Sequence, residues 1–169
     1  MSDTYIQALG FVAFGINILA SSTVSDNRMR ALICLSCLTF SLHYTLLGAL
    51  VAGLNLFVNS FRAFISLKFK GTMVFWIFVL LQVALSAYFY TSPTDLLPAV
   101  ASLVSCYALF CAEGLRMRIA FLICTLIWML NAIIVGSYGG ILNDMFNATM
   151  LCITIFRIKR EQKPQVQAQ

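Results

Sequence analysis

Arg28-Met29-Arg30, followed by Leu42, Gly48, Leu54-Asn55 and Asn59, returns later in the chain as Arg116-Met117-Arg118, Leu130, Gly136, Leu142-Asn143 and Asn147. Every pair is separated by 88 positions, and no gap is needed to align them. Upstream, the same offset of 88 matches Val12 with Val100, Ala13 with Ala101 and Ala20 with Ala108. Apolar matches alone carry little weight in an apolar chain. A basic triplet and two Asn pairs at one offset do, and they mark an internal duplication.

Composition sets the environment. Of 169 residues, 61% are hydrophobic and 10% charged, too few polar groups to cover a water-facing exterior. The apolar runs recur at about 20 residues, the length that crosses a bilayer core. A net charge of +5 would suggest nucleic acid in a soluble protein, but here the placement of the charges matters more than their sum. The start, Met1-Ser2-Asp3-Thr4-Tyr5, lacks a basic n-region, so a removable signal peptide is not expected. All six Cys fall within apolar runs. Cys34 and Cys37 form a C-x-x-C spacing without further ligands nearby, so they read as small core residues rather than a metal site.

Seven spans are expected, at about 9–24, 31–50, 52–69, 73–90, 96–112, 119–137 and 140–158. Lipid admits helices or closed barrels, and these continuous runs lack the alternation of barrel strands. The expected fold is therefore an all-α integral membrane protein with seven transmembrane helices. A first three-helix repeat (9–70) and a second (96–159) flank a linker helix (73–90), which has no counterpart in the duplication. A polar tail (160–169) follows and reads as disordered. An odd number of helices between equivalent spans gives both copies the same orientation, a parallel repeat with its binding site at the repeat interface.

The charges segregate. Arg28, Arg30, Lys68, Lys70, Arg116, Arg118, Arg157, Lys159, Arg160 and Lys163 fall on one side of seven spans. Asp3, Asp95 and the uncharged turns 48–53 and 136–140 fall on the other. The positive-inside rule then places the N-terminus in the periplasm and the C-terminus in the cytoplasm of a multi-pass inner-membrane protein.

Polar residues inside spans are the candidate site. Asn55 and Asn59 share a helix face four residues apart, as do Asn143 and Asn147. Such amides either line a wet pocket or bond helix to helix. Phe40 and His43 become Trp128 and Asn131 at the repeat offset, one aromatic and one polar group per copy. That pairing suits a flat ring or sugar face whose edge is hydrogen-bonded, although aromatic packing and a satisfied core imidazole are the alternatives. Arg62 (mate Met150) and Asp144 (mate Leu56) lie outside the duplicated pattern. They are candidate gates, Arg62 otherwise being a cation that snorkels to the interface.

With no Ser/His/Asp set, paired carboxylates or metal cluster in the sequence, no enzyme activity, metal or cofactor is expected. A single histidine leaves no histidine cluster for a metal. The expected partners are a small-molecule solute and the lipid bilayer, not nucleic acid, with a homo-oligomer left open.

The 3+1+3 arrangement resembles the SWEET sugar transporters and the PnuC-type vitamin transporters. More closely, Arg28-Met29-Arg30, then His43-Tyr44-Thr45-Leu46-Leu47-Gly48-Ala49, then Asn55, Asn59 and Arg62, look like the YgjV-type family of small bacterial inner-membrane proteins. The SWEET resemblance implies facilitated passage of a small polar solute past pocket Asn and Trp side chains, here Asn59, Asn147 and Trp128. SWEETs hinge at prolines in several helices, whereas this chain has Pro98 alone at such a position. Transport of a sugar, nucleoside or vitamin precursor is the expected function, and a receptor using the same pocket without translocation is the alternative.

Overall fold

The computed structural model describes residues 3–21, 26–65, 68–69, 71–112 and 114–166. Among them are seven helices: α1 (Asp3–Ser21), α2 (Asp26–Leu46), α3 (Leu50–Ile65), α4 (Thr72–Tyr88), α5 (Leu96–Phe110), α6 (Gly114–Val135) and α7 (Tyr138–Val166). A short 3-10 turn, Pro93–Asp95, leads into α5. There the Asp95 carboxylate accepts from the Thr91 and Ser92 amides, each at 2.9 Å, and fixes the turn that Pro93 begins.

The helices close a ring in the order α1, α2, α3, α5, α6, α7 and back to α1, while α4 lies outside against α3 and α5. Some bonds recur at the 88-residue offset. Ser36 Oγ donates to the Ala13 carbonyl at 2.9 Å, and 88 residues on Cys124 Sγ donates to the Ala101 carbonyl at 3.2 Å. The turns repeat as well. Ala49 N–H bonds back to Tyr44 and Gly48 N–H to Thr45, as Ser137 N–H does to Ala132 and Gly136 N–H to Ile133. This is the Schellman end of a helix, which needs a left-handed residue. Gly48 and Gly136 supply it at φ 85° and 75°.

The polarity of the bundle is inverted relative to a soluble protein. Ser36, His43, Asn55, Arg62, Gln82, Ser102 and Asp144 are buried, while Phe57, Phe61, Phe64, Trp76, Ile77 and Leu80 face outward. So continuous an apolar exterior belongs in lipid. Four helices are long and apolar enough to cross a membrane, within Asp3–Ala20, Pro93–Phe110, Gly114–Val135 and Tyr138–Arg160. The apolar part of α2, and α3 and α4, are shorter. A 16-residue helix such as α3 is about 24 Å long, against a hydrocarbon core of about 30 Å.

Some boundaries differ from the sequence reading. The basic triplets were expected in loops before the second and sixth spans, but α2 begins at Asp26 and α6 at Gly114, so both triplets are helical. Arg and Met are good helix formers, and nothing in either triplet breaks a helix. The turn expected at 136–140 is shorter, because α7 begins at Tyr138. That helix also continues to Val166, through most of the tail expected to be disordered. Lys70 and residues 167–169, also assigned from sequence, lie outside the described residues. Pro98 sits in the first turn of α5, where a missing N–H interrupts no helical bond, so it does not bend the helix.

Candidate functional site

A cavity of about 220 Å³ opens between α1, α2, α6 and α7. Its polar wall is built by α7, which contributes Asn143, Asp144 and Asn147, and by Asn17 of α1. Residues 143 and 147 share a face of α7, and one donor ties them: Asn17 Nδ2 reaches Asn143 Oδ1 at 2.7 Å and Asn147 Oδ1 at 3.2 Å. Asn143 Nδ2 in turn donates to Asp144 Oδ1 at 3.2 Å. The lining is also aromatic, with Phe40 and Tyr44 from α2 and Trp128 from α6. Tyr44 and Trp128 meet edge to face with centroids 6.1 Å apart, a favoured arrangement of two ring quadrupoles. Thr125 and Cys37 line it as well.

Two glycines make room for this arrangement. A Cβ on Gly139 would overlap the backbone of Gly10, so the pair lets α1 and α7 cross at backbone contact. A Cβ on Gly140 would strike the Tyr44 hydroxyl and Ser137 Oγ. His43 locks the same junction. Its Nδ1 lies 2.8 Å from the Ile6 carbonyl and its Nε2 2.7 Å from Ser137 Oγ. A carbonyl accepts and cannot donate, so Nδ1 carries the proton and Nε2 accepts from the Ser137 hydroxyl. Ser137 Oγ is then free to accept from the Gly140 amide at 3.0 Å. The imidazole is fully used in joining α1, α2 and α7.

The sequence-predicted set therefore divides. Asn143, Asn147, Asp144, Trp128 and Phe40 line the cavity. Asn59, Asn55 and Arg62 stand elsewhere, at the α3–α5 seam that α4 covers. Arg62 is 2% exposed and does not snorkel. Its Nη1 donates to the Ser102 carbonyl at 2.8 Å, and its Nη2 donates to Asn59 Oδ1 and Ser105 Oγ. Asn55 accepts from Gln82 of α4 and donates to the Val51 carbonyl at 2.7 Å. Asn131 is buried, off the cavity, and its Nδ2 has no hydrogen-bond partner among the described residues. His43 and Asn131 thus leave the cavity together, as equivalent positions should. Each is three residues past its aromatic, a rotation that turns it toward a neighbouring helix.

The two seams are counterparts. Asn17 on α1 corresponds at the 88-residue offset to Ser105 on α5, and each meets the equivalent amide, Asn147 or Asn59, or a group bound to it. Neither Asn17 nor Tyr44 was singled out as a site residue from sequence. Asn17 carried a signal: it is polar in a span, and its repeat mate is polar too. The duplication was therefore the means of finding it.

Apolar exterior and buried polar groups together define an α-helical integral membrane protein. Residues 4–162 match Imp-YgjV, a family described as a bacterial inner membrane protein, and the chain belongs to that family. It is similar to Inner membrane protein YgjV of Escherichia coli (strain K12), 30% identical over 157 residues, which cover 93% of this chain and 86% of that one. No solved structure matches.

Proposed function

We propose that the chain is a seven-span transporter of 3+1+3 architecture, similar in plan to the SWEET and PnuC types, that gives facilitated passage to a small polar solute. The observation that carries this reading is the 220 Å³ cavity, lined by amide and carboxyl groups and by Phe40, Tyr44 and Trp128. Transport sites combine apolar and aromatic walls with a few placed polar groups in this way. Offset-matched bonds in α1–α3 and α5–α7 support two parallel repeats, with α4 as the linker that restores the orientation. Shorter α2, α3 and α4 cross by drawing polar flanks toward the interface. The basic segments face the cytoplasm, leaving the N-terminus periplasmic and the C-terminus cytoplasmic.

Arg62 and its α5 partners close one seam of the ring, and Asn17 with the α7 amides closes the other. Motion of one three-helix unit against the other would open the cavity to alternate sides by breaking the second seam. A thermal-shift screen of the purified protein against sugars, nucleosides and vitamin precursors identifies the ligand, since one that binds the folded state raises its stability. Saturable uptake of the radiolabelled ligand into proteoliposomes supports transport. Binding without uptake shows a receptor instead.

A further inference from the structure

Asp144 and Leu56 are equivalent positions, 88 residues apart, and both line the cavity. The repeated scaffold thus accommodates an isobutyl group at this station, and the carboxyl belongs to α7 alone. Asp144 is 7% exposed. It receives one hydrogen bond, from Asn143 to Oδ1, which leaves its second oxygen without a partner among the described residues. Among the described residues no basic group neutralises it: Arg62 is engaged with α5, and both His43 nitrogens are engaged with Ile6 and Ser137. A charged carboxylate so placed in a membrane bundle is costly, and it is relieved either by a proton or by a counter-charge that reaches it.

The surrounding groups point to the source of that charge. Asn143 Oδ1 and Asn147 Oδ1 accept from Asn17, so among the described residues Asp144 is the one acidic group on the polar wall. Phe40, Tyr44 and Trp128 line the same cavity, and the face of an aromatic ring carries the negative side of its quadrupole, which attracts cations. At about 220 Å³ the space suits a body of about one ring.

Resting on the transport reading of this same cavity, we infer that its solute is a small, flat organic cation whose N–H donors, of the protonated amine or amidine kind, pair with Asp144. A neutral sugar leaves the carboxylate without its counter-charge, and an anion repels it.

Three probes of one shape test this on the full chain in detergent: benzamidinium, benzamide and benzoate. Benzamidinium is expected to bind roughly 10- to 100-fold more tightly than benzamide, the equivalent of one charge-assisted hydrogen bond. Benzoate is expected not to bind. In Asp144→Asn and Asp144→Leu the benzamidinium affinity falls to that of benzamide. The Leu variant reproduces the side chain found at the equivalent position, and the comparison of probes on the parent needs no variant. Equal or tighter binding of benzamide, no response to benzamidinium, or a preference that survives both substitutions overturns the inference. Proteoliposome uptake separates it from the transport reading. Benzamidinium that binds without entering sinks transport and leaves the charge preference. Saturable uptake of a neutral solute, unchanged in Asp144→Leu, sinks the preference and leaves transport.

Discussion

Arg62 on α3 donates to the backbone carbonyl of Ser102 on α5 across 2.8 Å, holding a guanidinium inside the bundle with no carboxylate beside it among the described residues. Its Nε has no hydrogen-bond partner among them either. The charge is therefore carried by neutral acceptors, Ser102, Ser105 and Asn59, and the geometry of a planar fork is what reaches them all.

A lysine at this position keeps the buried charge but has one nitrogen where the guanidinium has several. Arg62→Lys is expected to lower stability by about 1.5–3 kcal/mol, the range for hydrogen bonds to charged groups. Arg62→Met, which copies the repeat mate Met150, removes the buried charge together with its bonds and is expected to be milder. Unfolding measured in detergent orders the two variants. A methionine variant less stable than the lysine one contradicts this view of the seam.

The crossing of α1 and α7 depends on Gly139 lying against the Gly10 backbone. Gly139→Ala forces the helices apart and is expected to cost about 1–3 kcal/mol, as overpacking does. Gly15→Ala is the control, because a Cβ there meets nothing within 4 Å. It is expected to be neutral or to stabilise by up to about 1 kcal/mol through helix propensity. Equal effects of the two substitutions would show that the crossing tolerates a wider spacing.

Much of the bundle was legible because duplication and hydropathy are properties of the chain itself. The 88-residue offset that pairs Arg28 with Arg116 also pairs the Ser36–Ala13 and Cys124–Ala101 bonds. Helix starts were less legible, since a basic triplet reads equally as loop or as first turn until its neighbours fix it. For the site, periodicity identified which Asn pairs share a face. It could not say that Asn147 would meet Asn17, or that the Arg62 beside Asn59 would turn inward to α5, because both depend on which helices become neighbours. Arg62 read as snorkelling because two of its three acceptors, Ser102 and Ser105, lie on α5, at least 40 residues away in sequence.

Trp128 is expected to stack on the bound solute. Trp128→Ala removes the plane and should weaken binding roughly 5- to 150-fold, taking about 1–3 kcal/mol per stacking contact from nucleic-acid binding as the analogue. Trp128→Phe keeps a ring, and the scaffold already holds Phe40 at the equivalent position, so most affinity should survive. Titration of a ligand identified by thermal shift gives both values. If both variants bind like the parent and are equally stable, Trp128 is packing alone.

Orientation has a direct readout. A cytoplasmic reporter fused after Gln169 is expected to be active and a periplasmic one inactive, because the proposed topology puts the basic end of α7, with Arg157, Lys159 and Arg160, on the cytoplasmic side. The reverse pattern contradicts the seven-span count.

The measurement closest to the proposed function is proteoliposome uptake of the thermal-shift ligand by parent and by Thr125→Trp. Thr125 lines the cavity, so an indole there fills the space among the amide and aromatic groups. Phe61→Trp is the matched control, since Phe61 is 51% exposed on the outer face of α3. Saturable uptake by the parent, retained in Phe61→Trp and abolished in a folded Thr125→Trp, is the expected result. Uptake by Thr125→Trp at the parental rate would contradict passage of the solute through this cavity.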